Sequence, residues 1–280
     1  MRKVFVLFCV LVLSLALLQT PARAQSKFGF KVSGGLIYAG GGDINAGVQG
    51  WYDFYHDYLQ LLGYSATGTY SPFHLGMDFQ GEFLFNLSPE MALGLGAGYL
   101  SVSKDSALTG TSGSKTITLT FQPKVHAIPI TFNFHYYLPA GNTLKFVLTA
   151  GVGYYLTKID HTLGATGSGS VEKYDFSAGG FGFHGGVGLD LALSPAVSLV
   201  LDLLGRYATA SGYTGSYTSG STTHTNVNLY YYEGSFPGFG TYPQLTYDTT
   251  LPSGSGVNNA REAKLDLSGF SALIGFVFHF

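Results

Sequence analysis

The stretch FSALIGFVFHF, residues 270–280, decides the predicted fold. Side chains of a β-strand alternate between its two faces. One face of this stretch carries only apolar side chains: Ala272, Ile274, Phe276, Phe278 and Phe280. The other face carries Ser271, Gly275 and His279. An apolar outer face and a small or polar inner face are typical of strands in transmembrane β-barrels.

The first residues predict a secretory signal peptide over residues 1–24. Arg2 and Lys3 form a basic start, residues 4–18 an apolar run, and residues 22–24 (Ala-Arg-Ala) a cleavage pattern. A membrane anchor is the alternative, but the run is shorter than the roughly 20 residues that a spanning helix needs. The single cysteine, Cys9, lies inside this segment, so the sequence offers neither a disulfide framework nor a lipid anchor at the cleavage point.

Composition separates the predicted mature chain, residues 25–280, from an ordinary soluble domain. Charged residues make up 11% of the sequence, beside 40 Gly, 22 Phe and 20 Tyr. Without Arg2, Lys3 and Arg23, 11 of the 14 basic residues remain against 16 acidic ones, a net charge of −5 that disfavours nucleic acid as a partner. No second apolar run has the length of a spanning helix. For an exported chain without a spanning helix, a closed barrel is the remaining way to cross the membrane, because only helices and closed barrels satisfy every backbone group in lipid.

Alternation like that of the last strand recurs in seven earlier segments, which predicts an all-β, eight-stranded antiparallel barrel. The eight segments are residues 28–39, 73–85, 93–99, 117–136, 144–154, 181–191, 197–206 and 270–280. Short connections at 87–90, 139–142 and 194–196 alternate with long ones at about 40–72, 104–116, 159–177 and 211–264. This asymmetry predicts an up-and-down barrel with short turns and both termini in the periplasm and long loops outside.

Two segments break the alternation. Apolar residues change parity between Phe121 and Ile128, which predicts a bulge near residues 123–126. A similar change between Leu267 and Phe270 predicts a slip at Gly269. The directions of Lys124 and His126 stay open for the same reason.

Four segments carry a resemblance to a known family: IPITFNFHYYLP (128–139), LTAGVGYYL (148–156), FGFHGGVGLDLALSP (181–195) and GFVFHF (275–280). They resemble the small outer-membrane β-barrels that include opacity-type adhesins and OmpA-, OmpX- and OmpW-type barrels. The resemblance covers the strands of residues 28–280 but not the long loops. It implies insertion into the bacterial outer membrane by the barrel-assembly machinery, with Phe276, Phe278 and Phe280 as the recognised aromatic end. It implies no single activity, because the members differ in function.

Strand parity directs a set of polar side chains into the interior. The set is Lys31, Asp78, Gln80, Glu82, Lys145, Asp190, Asp202 and Arg206. An eight-stranded barrel is just wide enough for side chains to fill it, and unpaired buried charges are costly. The predicted lumen network of Asp78, Glu82, Lys145, Asp190, Asp202 and Arg206 is therefore either a plug or the gate of a narrow pathway. Inward glycines leave two alternatives open, a water-filled space or room for neighbouring side chains.

Chemical sites other than this network are not predicted. His74, His135, His184 and His279 can all face inward, but their spacing does not suggest a metal site, and no cofactor is expected. His126 with Ser101 or Ser103 is an imaginable pair across strands, yet nothing in the sequence places a base beside a nucleophile. The segments GLGAG and GVG lie inside strands, so they are not phosphate loops. We therefore do not expect the protein to be an enzyme.

The long loops are the expected carriers of function. Residues 51–62 of the first loop follow helical spacing, and the fourth loop includes strand-forming residues that can extend strands seven and eight as a hairpin. Together they predict a loop contact surface of Trp51, Tyr52, Tyr55, Tyr58, Tyr230, Tyr231 and Tyr232. The alternative is a packed cap over the barrel.

The sequence therefore predicts an outer-membrane barrel with a structural or surface-interaction, adhesin-like role. The alternative is a narrow channel for small or apolar solutes. Expected partners are outer-membrane lipids, the assembly machinery and an extracellular ligand or host surface, and we expect a monomer. Continuous charge pairing in the interior favours a plug, whereas an open apolar funnel under the first loop favours transport.

Overall fold

A computed structural model of the chain describes residues 26–166 and 171–280. The predicted signal peptide lies outside the described residues. These residues form one helix, α1 (Gly42–Leu61), and fourteen strands: β1 (Phe28–Ala39), β2 (Ser65–Gly68), β3 (Leu75–Ser88), β4 (Met91–Ser103), β5 (Ser106–Ser112), β6 (Lys115–Pro139), β7 (Leu144–Ala165), β8 (Val171–Ser194), β9 (Val197–Ser219), β10 (Thr222–Phe236), β11 (Gly240–Asp248), β12 (Val257–Glu262), β13 (Leu265–Asp266) and β14 (Gly269–His279). No helix among them is long and apolar enough to cross a membrane.

Eight of the strands pair into a closed antiparallel ring in the order β1, β3, β4, β6, β7, β8, β9, β14 and back to β1. They correspond to the eight predicted segments. Following the register from Lys31 around the ring reaches Ala208 of β9 in one direction and Ser198, ten residues earlier, in the other. Such a stagger tilts the strands of a closed sheet.

The prediction of eight strands in total is wrong, because the predicted loops are themselves folded. The first holds α1 and β2, the second β5, and the fourth the strands β10, β11 and β12. The predicted third loop consists mostly of extensions of β7 and β8. Strands that continue past the ring satisfy their backbone groups by pairing with each other, which a loop of the same length does less completely.

The outer face of the ring is an apolar belt. Leu36, Leu75 and Phe181 are among its most exposed members, with 66%, 69% and 79% of their surface accessible. Aromatic side chains line both edges of the belt: Tyr38, Tyr99, Tyr154, Tyr207 and Phe270 toward the long connections, and Phe28, Phe83, Phe85, Tyr136 and Phe280 toward the short ones. This arrangement agrees with the alternation in the sequence.

Neither predicted break in the alternation occurs. β6 pairs with β7 in one register from Leu119 to Pro139, so Phe121 and Val125 point inward and are buried, while Lys124 points outward. Likewise β13 and β14 pair with β9 in one register, with Leu267 buried and Phe270 exposed. The apolar residues change face because the interior becomes apolar toward the long connections, not because the chain slips.

A real bulge lies elsewhere, in β9. The pairing of β8 with β9 shifts between Ser177 and Gly179, opposite Gly212. Gly212 has a φ of 73°, a left-handed conformation that glycine adopts without strain. Beyond it the inward parity of β9 changes, and Tyr213 is fully buried.

Helix α1 covers the ring at the end of the long connections. It begins at Gly42, nine residues before the predicted start, and both Gly41 and Gly42 have a positive φ. Asn45 fastens it by donating from Nδ2 to the Phe73 carbonyl at 2.8 Å and accepting from the Phe73 N–H at 3.1 Å. A Cβ on Gly50 would lie 1.7 Å from the Pro243 carbonyl oxygen, so the β11 backbone lies directly against the helix. The helix is thus held between the ring and β11.

Candidate functional site: the ring interior and its cap

The interior is filled in layers, beginning at the short connections. Leu84, Val200 and Val277 form a small buried apolar cluster there. They belong to β3, β9 and β14, three strands whose inward positions meet at this height. This cluster separates the charged groups above it from the short-turn end.

The second layer contains one ion pair and one hydrogen-bonded contact between a histidine and a carboxylate. Lys31 Nζ lies 2.8 Å from Asp202 Oδ2, and His135 Nε2 lies 2.9 Å from Glu82 Oε1. Asn133 Nδ2 donates to the same Glu82 oxygen at 2.6 Å and Asn133 Oδ1 lies 2.7 Å from His184 Nε2. All of these side chains except that of His184 belong to buried residues. Hydrogen-bonded pairing of this kind offsets the cost of burying the charges.

The third layer surrounds Asp78, which is fully buried. Ser271 Oγ donates to Asp78 at 2.7 Å and Gln80 Nε2 donates at 3.1 Å. Arg206 Nη1 lies 3.9 Å from the same carboxylate, and Arg206 Nε donates to the Leu267 carbonyl at 3.1 Å. Arg206 therefore sits at the boundary between the polar and apolar parts of the interior.

Lys145 does not join these layers. Its side chain is exposed beside the short connection of β6 and β7, where its ammonium lies 5.3 Å from the centre of the Tyr137 ring. Asp190 is buried and lies opposite Lys145 in the register of β7 and β8. Of the six predicted network residues, Asp78, Glu82, Asp202 and Arg206 come together with partners, whereas Lys145 stays at the rim.

The inward glycines make room for polar side chains. A Cβ on Gly94 would lie 1.8 Å from Glu82 Oε1, one on Gly151 2.2 Å from Asn133 Oδ1, and one on Gly188 2.5 Å from Asp202 Oδ1. The sequence left open whether inward glycines give a water-filled space or room for neighbouring side chains. At these three positions neighbouring side chains occupy the room.

Above the polar layers the interior is apolar and closed. Ile37, Leu100, Phe121, Ile159 and Phe176 fill the ring, each with at most 2% of its surface exposed. Ile44, Val48, Trp51 and Tyr52 of α1 pack on them from above. No open funnel lies under the first loop in the part of the chain that the structure describes.

The aromatic residues predicted as a contact surface lie mostly inside the cap. Trp51, Tyr52, Tyr230 and Tyr231 are buried, Tyr55 and Tyr232 are half-buried, and Tyr58 is exposed. Trp51 packs 5.1 Å from the Tyr174 ring and 5.4 Å from the His161 ring. Trp51 and Tyr52 are covered because their part of α1 packs on the ring.

Charged contacts fix both ends of the cap. Arg261 donates to Asp43 at 2.7 Å and lies 4.1 Å from the centre of the Tyr231 ring, near the start of α1. Farther along, the Tyr242 hydroxyl donates to Asp57. This hydrogen bond lowers the pKa of Asp57 and raises the pKa of Tyr242 to about 12. Asp57 is therefore an anion at neutral pH.

The histidines have separate surroundings. His74 Nδ1 lies 2.8 Å from the Ala39 carbonyl oxygen, and His279 Nε2 lies 3.0 Å from Ser198 Oγ. No group of three or more His, Cys, Asp or Glu side chains suited to a metal occurs within residues 26–166 and 171–280. Sequence reasoning missed the role of Asn133 and Ser271, although strand alternation had already placed them inward.

His126 points outward, just beyond the apolar belt. It is hydrogen-bonded through Nδ1 to the Tyr99 hydroxyl, and its Nε2 lies 3.8 Å from Asp160. Ser101 is opposite His126 in the register of β4 and β6, and Ser103 is opposite Lys124. Burial lowers the pKa of His126, and nearby Lys124 lowers it further.

The terminal aromatic residues lie on the outer face of β14. Phe276 and Phe280 are exposed and Phe278 is half-buried. Their shared face follows the alternation from which the barrel was predicted.

Comparisons with known proteins include a similarity in structure. No protein family matches the sequence, and no curated protein matches it either. The chain is similar to the outer membrane protein OprG from Pseudomonas aeruginosa, at 14% identity and a TM-score of 0.44, over 93% of this chain and 99% of that chain.

Proposed function

We propose that this protein is an outer-membrane β-barrel with a closed interior, whose work is structural and is done at the surface of its cap. The apolar belt with aromatic residues at both edges supports the membrane location. The short connections and both chain termini then lie in the periplasm, and the cap lies outside. Phe276, Phe278 and Phe280 serve as the aromatic end for assembly.

The continuous filling of the interior carries the functional part of this proposal. Among the described residues, an apolar cluster, the Lys31–Asp202 ion pair with the Glu82–His135 contact, the Asp78 layer, an apolar core and α1 follow one another without an open path. A molecule that crosses the ring must break several of these layers. The cap, in contrast, presents a large folded surface, which suits interaction with an extracellular ligand or a host surface.

Single-cysteine labelling tests the location and orientation, because Cys9 is the sole cysteine of the sequence and lies in the predicted signal peptide. Ser253→Cys and Asn142→Cys place thiols on an exposed long connection and an exposed short one. A membrane-impermeant maleimide should label Ser253→Cys in intact cells and Asn142→Cys only after lysis. Labelling of Asn142→Cys in intact cells contradicts the proposal.

A narrow channel is the second candidate, and unpaired polar atoms in the interior favour it. Ser33 Oγ, His184 Nδ1 and Arg206 Nη2 are buried and have no hydrogen-bond partner among residues 26–166 and 171–280. Groups of this kind are commonly satisfied by water, so the polar layers can hold water molecules. For conduction, α1 and the apolar core must also move. A channel should therefore conduct more when Asn45→Ala loosens the helix.

We propose no catalytic activity. His126 is hydrogen-bonded to Tyr99, and no hydrogen bond joins it to Ser101 or Ser103 among the described residues. Its contacts suit a polar anchor at the edge of the lipid, where a histidine and a tyrosine hydroxyl reach the headgroups. Hydrolysis of a chromogenic ester by the purified protein, if it is lost in His126→Gln, would contradict the absence of catalytic activity.

A further inference from the structure

An aromatic notch lies on the outer side of the cap, between the second half of α1 and the connection from β10 to β11. We define it by Phe54, Tyr58, Leu61, Phe236 and Phe239. Phe54 lies 4.6 Å from Phe236 and 5.7 Å from Phe239, measured between ring centres, and Tyr58 lies 6.3 Å from Phe239. Side chains from two separate elements therefore form one apolar surface.

The notch is open to solvent. Tyr58 exposes 41% of its surface and Leu61 exposes 70%, while the three phenylalanines are half-buried beneath them. Phe54, Tyr58 and Leu61 follow the spacing i, i+4, i+7 and share one helix face. Trp51 and Tyr58 are also seven residues apart, so the notch residues border the face of α1 that packs Ile44, Val48 and Trp51 on the ring. Exposed apolar patches that are rimmed by polar groups mark interaction sites.

The surroundings of the notch are acidic. Residues 42–61 and 236–248 contain four aspartates and no lysine or arginine. Arg261 neutralises only Asp43, at the far end of α1. Asp53 and Asp57 lie next to the notch residues on α1, and the hydrogen bond from Tyr242 keeps Asp57 ionised. A partner that complements this surface presents apolar side chains bordered by positive charge.

We propose that the aromatic notch binds a cationic amphipathic segment of a partner protein or peptide. The inference rests on the proposed function, in which the cap faces outward. Apolar side chains of the segment fill the space above Phe54, Phe236 and Phe239, and its lysines or arginines face Asp53 and Asp57. Aromatic residues at the centre and charges at the rim are the usual anatomy of such interfaces.

The test uses residues 25–280 refolded into nanodiscs of zwitterionic phosphatidylcholine, with empty nanodiscs as the reference. The probes are two fluorescein-labelled helical peptides of 18 residues with the same leucine pattern, one carrying lysine and one glutamate on its polar face. We expect the lysine peptide to bind at least tenfold more tightly than the glutamate peptide, by fluorescence anisotropy. Raising the salt concentration should weaken that binding, because exposed charges are screened.

Variants separate the notch from the rest of the surface. Tyr58→Ser combined with Leu61→Ser should weaken lysine-peptide binding at least tenfold, and Leu61→Lys alone should weaken it as well. Leu251→Ser, which changes another exposed leucine outside the notch, should leave it unchanged. All of these positions are exposed, so folding should be retained.

The proposal is overturned if the two peptides bind equally, if neither binds, or if the notch variants bind like the wild type. Self-association of the protein that disappears in the notch variants also overturns it, because the occupant is then a second copy. The cysteine-labelling pattern tests the proposed function independently. If that pattern holds while the peptides fail to bind, only the present inference fails.

Discussion

Gly94 of β4 gives Glu82 of β3 its place in the interior. A Cβ on Gly94 would lie 1.8 Å from Glu82 Oε1, the oxygen that also contacts His135 and Asn133. The side chain of Glu82 on the neighbouring strand therefore requires a glycine at position 94. The contact between Glu82 and His135 thus depends on a residue that has no side chain.

Gly94→Ala should displace Glu82 and weaken its bonds to His135 and Asn133. We expect a loss of about 1–3 kcal/mol in the free energy of unfolding, the usual cost of unpairing a buried polar group. Urea unfolding in detergent measures it. Gly205→Ala is the matched control, since the nearest atom to its Cβ is the Gly185 carbonyl oxygen at an ordinary 3.7 Å. Equal losses in both variants would refute the explanation.

Lys31→Met should destabilise the protein more than the double variant Lys31→Met with Asp202→Leu. The single change leaves the Asp202 carboxylate buried without its partner at 2.8 Å. Breaking a buried pair in this way costs about 3–5 kcal/mol, whereas replacing both members by apolar groups is often neutral. A double-mutant cycle on the free energies of unfolding measures the difference. Additive losses would show that the pair is not coupled.

Asn45→Ala should loosen α1 without unfolding the ring. It removes both hydrogen bonds to Phe73, at 2.8 and 3.1 Å. Trp51 is the single tryptophan of the sequence and is buried on the side of α1 that packs on the ring. Its fluorescence should therefore shift to the red, and proteases should cleave between residues 40 and 72 more readily. Gln49→Ala, an exposed position of the same helix, should change neither signal. A spectrum identical to that of the wild type would contradict the role of Asn45 in holding α1 on the ring.

His161→Phe should remove part of the acid sensitivity of the cap. His161 lies beyond the apolar belt, and burial lowers its pKa to about 3 from the ordinary 6.5. Below pH 6.5 the unfolded chain takes up a proton that the folded chain does not, so stability falls by up to about 1.4 kcal/mol per pH unit until about pH 3. Unfolding free energies of the wild type and of His161→Phe between pH 7 and 4 measure this. Parallel curves for the two proteins would rule the histidine out as the cause.

The ring was predictable because its two faces differ in polarity along most of each strand. The prediction failed at Phe121 and Leu267, where the interior becomes apolar and outward side chains such as Gln122 and Lys124 are polar. One-dimensional alternation cannot separate a bulge from such a change of surroundings. The pairing of Lys31 with Asp202 also depends on the stagger around the ring, which brings distant positions to one height.

The cap was less predictable for a different reason. Aromatic residues of a polar loop suit a surface and a packed core equally, and the outcome depends on which elements lie above them. Trp51 is covered by contacts with His161 and Tyr174 from strand extensions that the sequence had suggested as loop. The segments predicted as loops therefore form both the cap and the aromatic notch on its outer side.

Planar-bilayer conductance of refolded residues 25–280 tests the closed interior most directly. The layered filling predicts that the wild type inserts into the bilayer and stays silent across the applied voltages. The same measurement is made on Asn45→Ala, Glu82→Ala and the double variant. Openings that occur only in these variants are compatible with a plug. Reproducible single-channel openings of the wild type would contradict the closed interior and favour the narrow channel.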